Sequence, residues 1–408
     1  MKIAILTMGT QGDVQPFAIL GQALKKRGHQ VTLSTAKNFA ALVKSYDIEF
    51  LPIEADFQEF MNSEEGKKMM KNPFRAKKNL RVWVYPMIYN SMKIFYKLSK
   101  ESDRVIFHVK TMGDYFADQF PDKMIKANVI PAIEYTTEFI NPVFSALPIP
   151  SFLNRLSYKL SDLGISMMMK PVNEFRKSEG LSLKFKKPTL PSIYGISETY
   201  LSKPKDYSVS THFTGFWTTT SNIELDKDLI DFITRGTPPL LITFGSMTFE
   251  TKMDLPTAIE NLSNELNVRV IVVKGWGFNS TKRLDENPNI KVIKSAPYDK
   301  LFPLVKAVIN HGGIGTVSAC LIAGKPFFTC PVLYPLGDQY FWGYIGFKKG
   351  IALRPIALKN LTERMLIDNA QALLSTETLY TNSLEMSKKI KSENGVERAI
   401  ELIEENQR

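Results

Sequence analysis

The sequence predicts an α/β protein built from two doubly wound domains with parallel sheets. A chain of 408 residues exceeds what one hydrophobic core usually supports. A strand–helix–strand unit is apparent within residues 1–35, and a second alternation of strands and helices begins after residue 222. Two such sheets leave a cleft between the carboxyl ends of their strands, where ligands bind.

The first half begins with KIAILT, an apolar run typical of a buried parallel strand. A glycine-rich turn at 8–13 precedes a helical pattern at 14–27, and HQVTLST is the next predicted strand. Further strands are predicted at 48–51, 104–107 and 128–133, and the methionine-rich stretch 56–180 is mostly helical in pattern. The first domain is predicted to span residues 1–210.

The second half has a more regular pattern. Strands are predicted in PLLITF, VRVIVV, IKVI, AVIN and KPFFTC, with helices at 256–266, 313–323 and 338–347. A polar, proline-containing stretch indicates a boundary between 205 and 225. The second domain is predicted to span 222–377, and one long helix over 378–408 is expected to pack back toward the first domain.

Composition is that of an ordinary globular protein, with 44% apolar residues. We find no 18-residue apolar run and no signal-peptide pattern, and two cysteines fit a reducing compartment, so a cytoplasmic protein is expected. The net charge is +11 and is unevenly distributed: residues 66–100 contain ten Lys or Arg and no acidic residue. This stretch is a solvated helical face or a patch for an anionic membrane, which would place the protein at the inner membrane face; no motif indicates nucleic acid.

Three segments contain residues suited to chemistry. In VINHGGIGT (308–316), a strand runs into glycines that open a helix, so a phosphate could reach backbone N–H groups beside His311; the alternative is a structural turn with a core histidine. In PLGDQ (335–339), Asp338 and Gln339 could hold sugar hydroxyls, or Asp338 could simply cap a helix.

The third segment, GTQGDVQP (9–16), follows the first strand and faces the predicted cleft. Thr10 or Asp13 could cap the next helix. Asp13 could instead deprotonate an acceptor hydroxyl, and partial burial would then have to raise its pKa.

With these motifs the whole chain resembles the UDP-glycosyltransferases of the GT-B fold, in their sterol and lipid glucosyltransferase branch, and is similar to bacterial glycopeptide glycosyltransferases. The markers are GTQGDVQP (9–16), TGFW (214–217), FGSM (244–247), SAPYDKLFP (295–303), NHGGIGT (310–316) and PLGDQYFWG (335–343). Plant-type and macrolide-type relatives have a histidine in the first loop, where this chain has Asp13.

The resemblance implies a role for each matching residue. Asp13 would act as the catalytic base or orient it, with Thr10, Gln11 and Met247 on the acceptor side. The donor would contact Ser246, Trp276, Ala296, His311, Gly313, Gly315, Thr316, Asp338 and Gln339. Similar sequences often have His and then Trp within the segment where Tyr298, Asp299 and Lys300 stand here, so contacts to the base could differ. Trp276 is an alternative aromatic wall for the nucleotide.

The resemblance implies an inverting transfer of a hexose, glucose by analogy, from a UDP-sugar to a hydroxyl of an apolar alcohol such as a sterol, carotenoid, terpenoid or polyphenol. No cofactor and no metal are expected, because these relatives stabilise the diphosphate with helix dipoles and hydrogen-bond donors. Two alternatives remain: a non-catalytic protein that binds a nucleotide sugar and activates a partner, and an epimerase that acts on the UDP-sugar alone.

Overall fold

The computed structural model describes residues 1–54, 80–245, 251–275 and 278–405. Its strands are β1 Lys2–Leu6, β2 Gln30–Ala36, β3 Glu49–Ile53, β4 Arg104–His108, β5 Met124–Asn128, β6 Ser192–Tyr194, β7 Thr211–Phe213, β8 Leu240–Thr243, β9 Val270–Val273, β10 Ile290–Ile293, β11 Ala307–Asn310, β12 Phe327–Thr329 and β13 Ala352–Leu353.

The α-helices of the described residues are α1 Gln11–Lys26, α2 Ala40–Ser45, α3 Tyr85–Glu101, α4 Asn154–Ser166, α5 Met169–Ser178, α6 Lys227–Thr234, α7 Leu255–Leu266, α8 Lys282–Asp285, α9 Tyr298–Leu301, α10 Ile314–Ala323, α11 Gln339–Lys348, α12 Glu363–Ser375, α13 Glu377–Lys391 and α14 Gly395–Glu405. A π-helical turn, Leu80–Val84, precedes α3, and short 3₁₀ turns include Val109–Thr111 after β4 and Pro142–Phe144.

Two parallel sheets organise the chain. The first has the strand order β3-β2-β1-β4-β5-β6-β7, and the second has the order β10-β9-β8-β11-β12-β13. The chain order reverses between β1 and β4 in the first sheet and between β8 and β11 in the second. A crevice opens at each reversal, at the carboxyl ends of the two strands, and such a crevice is where ligands bind in open α/β sheets.

The central strands form because they are short apolar runs that helices cover on both faces. In β1, β8, β9 and β11 the residues Ile5, Leu241, Ile271 and Ile309 are fully buried. Parallel strands covered in this way are apolar throughout and do not alternate with polar residues. The two doubly wound sheets predicted from the sequence are therefore confirmed.

Several local predictions were wrong. The strand predicted at 128–133 lies at Met124–Asn128, and the stretch predicted to be mostly helical contains several 3₁₀ turns, whereas the strand predicted at 104–107 is β4. The first helix begins at Gln11 and not at Val14, so Asp13 lies in its first turn. The single C-terminal helix is two helices, α13 and α14, separated at Asn394, which has a φ of +49°.

The last two helices join the domains. α13 packs on α10 of the second domain, where the Ser387 hydroxyl donates to Ile322 O at 2.6 Å. α14 packs on α1 of the first domain, where Arg27 lies 2.6 Å from Glu397. The predicted return of the chain's C-terminal end to the first domain is thus confirmed. Among the helices that the structure describes, none combines the length and apolarity needed to cross a membrane.

Candidate active site between the two sheets

The carboxylate of Asp13 lies buried at the crevice of the first sheet. Its Oδ2 accepts hydrogen bonds from the Thr10 backbone N–H at 2.8 Å and from the Thr10 hydroxyl at 3.1 Å. Its Oδ1 lies 2.7 Å from the Lys110 ammonium. Gly9 is required here, because a Cβ at that position would come within 2.2 Å of Oδ2. Asp13 therefore completes the start of α1 and also faces a cation.

The pKa of Asp13 is not raised, contrary to what a catalytic base was expected to need. Burial alone would raise it, but the charge of Lys110, the His108 ring and the hydrogen bonds from Lys110 and Thr10 hold the pKa of this carboxyl below its ordinary value. The carboxylate is accordingly ionised throughout the neutral range, and any proton that it accepts must come from a group made acidic by the reaction.

Two neighbours of Asp13 were missed at the sequence level. His108 ends β4, the strand beside β1, and its Nε2 lies 3.9 Å from Asp13 Oδ1. Burial lowers the pKa of His108 to about 4, so the ring is neutral, and its Nδ1 is buried without a hydrogen-bond partner. Lys110 follows in the next turn. The one signal in the sequence was that both residues come just after the strand predicted at 104–107. The carboxyl ends of strands in such sheets border the cleft, so these side chains could have been assigned to the site.

His311 occupies the corresponding place in the second sheet, directly after β11. A Cβ on Gly313 would lie 2.5 Å from its Nε2, and a Cβ on Gly245 would lie 2.5 Å from its Cε1. Gly245 also has a φ of +65°, which disfavours any other residue. The imidazole is therefore held between two glycines, and Gly245 joins the site although the sequence analysis did not single it out.

The electrostatic setting of His311 is simple. Burial lowers its pKa to about 4, so the ring is neutral near pH 7, and Nδ1 has no hydrogen-bond partner. Asn310 shapes the turn, because its Oδ1 accepts from the Gly312 N–H at 2.8 Å. α10 starts immediately beyond, with Gly313 before its first residue. The N–H groups of a first helical turn carry partial positive charge, which makes this an anion-binding arrangement.

Gly315 and Thr316 lie in the first turn of α10. Nothing lies within 4 Å of the Cβ position of Gly315, so the space beside it is open. Thr316 is buried and contacts the Tyr298 hydroxyl, which also lies 3.2 Å from Thr243 Oγ1. The Tyr298 ring stacks on Phe302. Thr316 therefore supports the loop after β10 in addition to bordering the helix start.

The residues that depart from the family pattern in this loop have partners in the connection between the domains. The carboxylate of Asp299 accepts from the Ser221 N–H at 2.8 Å, and Lys300 lies 3.2 Å from Glu224. Ala296 lies earlier in the same loop and is partly buried against the core.

Asp338 is placed directly before α11 and does not cap that helix through its side chain. Its Oδ2 accepts from the Trp342 indole N–H at 2.8 Å. Burial raises the pKa of Asp338; the Lys110 charge opposes the shift and the Asp13 charge adds to it. Charged residues of the first domain thus affect the pKa of this carboxyl in the second domain. Beside Asp338 the Gly337 N–H donates to Val143 O at 2.9 Å.

Gln339 stands next to Asp338, but its carbonyl oxygen has a structural partner. Oε1 accepts from the backbone N–H groups of Val332 and Leu333, at 2.8 and 2.9 Å, and the side chain is buried. This oxygen therefore fixes the loop after β12 and does not face the cleft as the sequence analysis had assumed.

The remaining predicted residues divide into two groups. Gln11 is exposed at the start of α1 and donates to Gln15. Ser246, Met247 and Trp276 lie outside the described residues, as does 66–79 of the basic stretch. In the part of the chain that the structure describes, no group of three or more His, Cys, Asp or Glu is arranged to hold a metal ion.

Comparison with known proteins supports the assignment of the fold. The profile of the glycosyltransferase family 28 N-terminal domain matches residues 3–99. The chain is 28% identical over 424 aligned positions to a sterol 3-beta-glucosyltransferase of Arabidopsis thaliana, covering 98% of this chain and 67% of that protein. It is 29% identical to a sterol 3-beta-glucosyltransferase of Saccharomyces cerevisiae, covering 98% of this chain and 35% of that protein. It thus spans about two thirds of the plant relative and about a third of the yeast relative.

Among solved structures, the glycotransferase of kitacinnamycin aligns with a TM-score of 0.75 at 15% identity, over 100% of this chain and 99% of that one. The similarity of the fold therefore extends over both sheets. The GT-B architecture and the resemblance to the sterol glucosyltransferases, both predicted from the motifs, are confirmed.

Proposed function

We propose that this chain, a GT-B relative of the sterol 3-beta-glucosyltransferases, is an inverting glycosyltransferase that moves glucose from UDP-glucose to a hydroxyl of an apolar alcohol. The candidate acceptors are sterols, carotenoids, terpenoids and polyphenols. The observation that carries the proposal is the placement of a buried carboxylate, Asp13, and a buried imidazole, His311, at the carboxyl ends of the two sheets, whose domains meet where the Gly337 N–H donates to Val143 O. A sugar between them would meet the acceptor on one side and the donor site on the other.

The donor would lie on the second domain. His311 is neutral, so one ring nitrogen can donate a hydrogen bond to a diphosphate oxygen, and the start of α10 adds its partial positive charge. As the bond between the anomeric carbon and the diphosphate breaks, negative charge grows on the leaving oxygen. Donors that are already in place stabilise that charge at no further cost of reorganisation.

The sugar would be oriented by Asp338, whose Oδ2 is held by the Trp342 indole. A carboxyl group fixed in this way can bind sugar hydroxyls with its remaining hydrogen-bonding capacity. Gln339 contributes less than the sequence analysis supposed, because its Oε1 holds the backbone of Val332 and Leu333. We therefore assign the recognition of the sugar mainly to Asp338.

The acceptor would be activated by Asp13. Its pKa is low, so it takes the proton late, when the attacking oxygen has begun to bond to the anomeric carbon and has become acidic. The oxygen attacks from the face opposite the diphosphate, and configuration inverts. Lys110 covers Oδ1 from the more open side, its side chain being 48% exposed against 5% for Asp13. An acceptor hydroxyl that binds Oδ1 would share this oxygen with the Lys110 ammonium.

The experiment is UDP release from UDP-glucose, with and without a panel of sterols, carotenoid alcohols, terpenoid alcohols and flavonoids. We expect release to depend on an added apolar alcohol and the product to be heavier by one hexose. Parallel assays with other UDP-hexoses and with dTDP-glucose identify the donor.

Two results would contradict the proposal. UDP-sugar conversion without any alcohol would indicate an epimerase. Tight UDP binding with no release for any acceptor and any donor would indicate a non-catalytic nucleotide-sugar-binding protein.

A further inference from the structure

Helix α4 exposes its apolar face to solvent, whereas an ordinary surface helix buries that face. Its buried residues are polar or part-polar: Asn154, Ser157 and Tyr158. Its leucines at positions 156, 160 and 163 face outward and are 48%, 50% and 59% exposed. The spacing of four and three residues aligns the leucines on one helix face. A surface helix of a soluble domain normally buries such a stripe.

Hydrogen bonds to the rest of the domain fix this orientation. The Asn154 side-chain amide donates to Thr137 O at 2.9 Å. The Asn141 backbone N–H donates to Ser157 Oγ at 2.8 Å, and its side-chain amide donates to Ser161 Oγ at 3.1 Å. Rotating α4 to bury its leucines would break all three bonds and leave buried polar groups unpaired, which is costly. The apolar stripe is therefore a stable feature of the surface.

The exposed apolar surface continues beyond the helix. Phe152, in the turn before α4, is 82% exposed. Past the other end of α4, the Tyr85 hydroxyl donates to Met167 O at 2.8 Å. This bond places the turn Leu80–Val84 near the end of α4. Val82 and Trp83 in that turn are 60% and 52% exposed. An aliphatic stripe with a nearby tryptophan has the composition of a helix lying in a membrane interface.

Two of the three charged residues beside the stripe are cations. Arg155 and Lys159 are exposed and each stands one residue before a leucine of the stripe. Asp162, the single acidic residue of α4, is also exposed and stands one residue before Leu163, and its carboxylate accepts a hydrogen bond from the Tyr135 hydroxyl. The face keeps a net positive charge, which anionic lipid headgroups would complement.

We propose that the α4 face, defined as Phe152, Arg155, Leu156, Lys159, Leu160 and Leu163, docks on the surface of an anionic lipid bilayer. The leucines and Phe152 enter the interface, and the two cations remain at the level of the headgroups. This surface lies outside residues 66–100, the stretch for which the sequence had suggested membrane contact.

The position of the α4 face relates it to the cleft. Asn141, which holds α4, begins the 3₁₀ turn whose Val143 O accepts from the Gly337 N–H beside Asp338. An apolar alcohol leaving the bilayer at α4 would therefore arrive beside the loop that contains Asp338, at the cleft. This consequence rests on the proposed function, whereas docking itself does not.

The test is co-flotation of the full chain, without donor or acceptor, on phosphatidylcholine vesicles with and without phosphatidylserine. Wild-type protein is expected to bind better when phosphatidylserine is present. Leu156→Gln/Leu160→Gln should weaken binding by about tenfold or more, because two buried aliphatic side chains are lost. The matched control is Val209→Gln/Ile223→Gln, at positions 91% and 66% exposed elsewhere on the chain, which should bind as wild type does.

A second pair of variants tests the charges. Arg155→Gln/Lys159→Gln should remove most of the gain due to phosphatidylserine, and Lys44→Gln/Lys282→Gln should not. The proposal is overturned if wild-type protein binds neither vesicle, or if the leucine variant binds as wild type does. A dimer that the leucine substitutions dissociate would assign the face to a second copy, and a large fall in melting temperature would mean that the chain itself covers it.

The two proposals can fail separately. UDP release with a short soluble alcohol, in the absence of vesicles, tests catalysis alone. Vesicle binding without UDP release would leave the α4 face in place and overturn the proposed reaction. UDP release without vesicle binding would support the proposed reaction and overturn the docking of the α4 face.

Discussion

The two sheets place a histidine at the same topological position and surround it with different chemistry. His108 ends β4 beside β1, and His311 follows β11 beside β8, each where the strand order reverses. His108 has Asp13 and Lys110 as neighbours, whereas burial alone lowers the pKa of His311, which glycines enclose. One fold thus provides a charged crevice suited to proton transfer and a neutral crevice suited to binding an anion.

Apart from the loss of the proposed base at Asp13, the largest effect is expected at the neutral crevice. His311→Ala removes the donor proposed for the leaving diphosphate and should lower kcat/KM by about 10²–10³-fold, the range for losing one such donor. Steady-state kinetics with UDP-glucose measures it. The control is His29→Ala, at a partly buried histidine that pairs with Glu404 of α14. Equal losses in the two variants would contradict the role of His311.

The enclosure of His311 can be tested separately. Gly313→Ala would place a methyl group 2.5 Å from Nε2 and displace the ring, so UDP affinity should fall by about tenfold or more. Calorimetric titration with UDP measures the affinity. Gly164→Ala, in α4 with open space at its Cβ position, is the control and should bind UDP normally. Unchanged UDP affinity in Gly313→Ala would mean that the ring position is unimportant for the donor.

At the charged crevice, Lys110→Met should change the pH dependence of the reaction. Lys110 is a main cause of the low pKa of Asp13, so replacing Lys110 raises that pKa. The His108 ring remains and still lowers the pKa of Asp13. Asp13 must be ionised to accept a proton, and the acid limb of kcat/KM should therefore move to higher pH. Lys25→Met, at a lysine 45% exposed against 48% for Lys110, should leave it in place. An acid limb that stays where it is would show that Asp13 does not control the rate.

The last effect is shared by both crevices and concerns stability. His108 and His311 have a folded-state pKa of about 4, below the ordinary value of 6.5, so they take up protons more readily when unfolded. Their contribution to stability is complete above pH 6.5 and falls by about 1.4 kcal/mol per pH unit for each ring as pH decreases toward 4. Denaturant unfolding at pH 7 and pH 5 measures this change. A free energy of unfolding that is equal at the two pH values would contradict it.

The sequence predicted the second sheet better than the first. Its central strands are short, fully apolar and separated by helices, so periodicity located β8, β9, β10 and β11 within a few residues. In the first sheet, β5 includes Lys126 and Asn128, and β6 and β7 have three residues each. Such strands exist because neighbouring strands provide partners, and a local pattern cannot show this.

The candidate site was predictable where a motif marked it, as for Asp13, His311 and Asp338. His108 and Lys110 were missed because only the order of the strands places the end of β4 beside Asp13. Gly245 was missed because its contact with His311 joins residues far apart in the chain. The outward leucines of α4 depend on bonds from Asn141, and these too are formed only in the folded protein.

The most direct test of the division between the crevices is to measure turnover and UDP affinity together in Asp13→Asn. Asp47→Asn serves as the control, since Asp47 is an exposed carboxylate paired with Lys25. The account predicts that Asp13→Asn binds UDP as wild type does but loses about 10²–10⁴-fold in kcat, the contribution of a general base. Normal turnover in a folded Asp13→Asn protein, or lost UDP affinity with turnover retained, would contradict it.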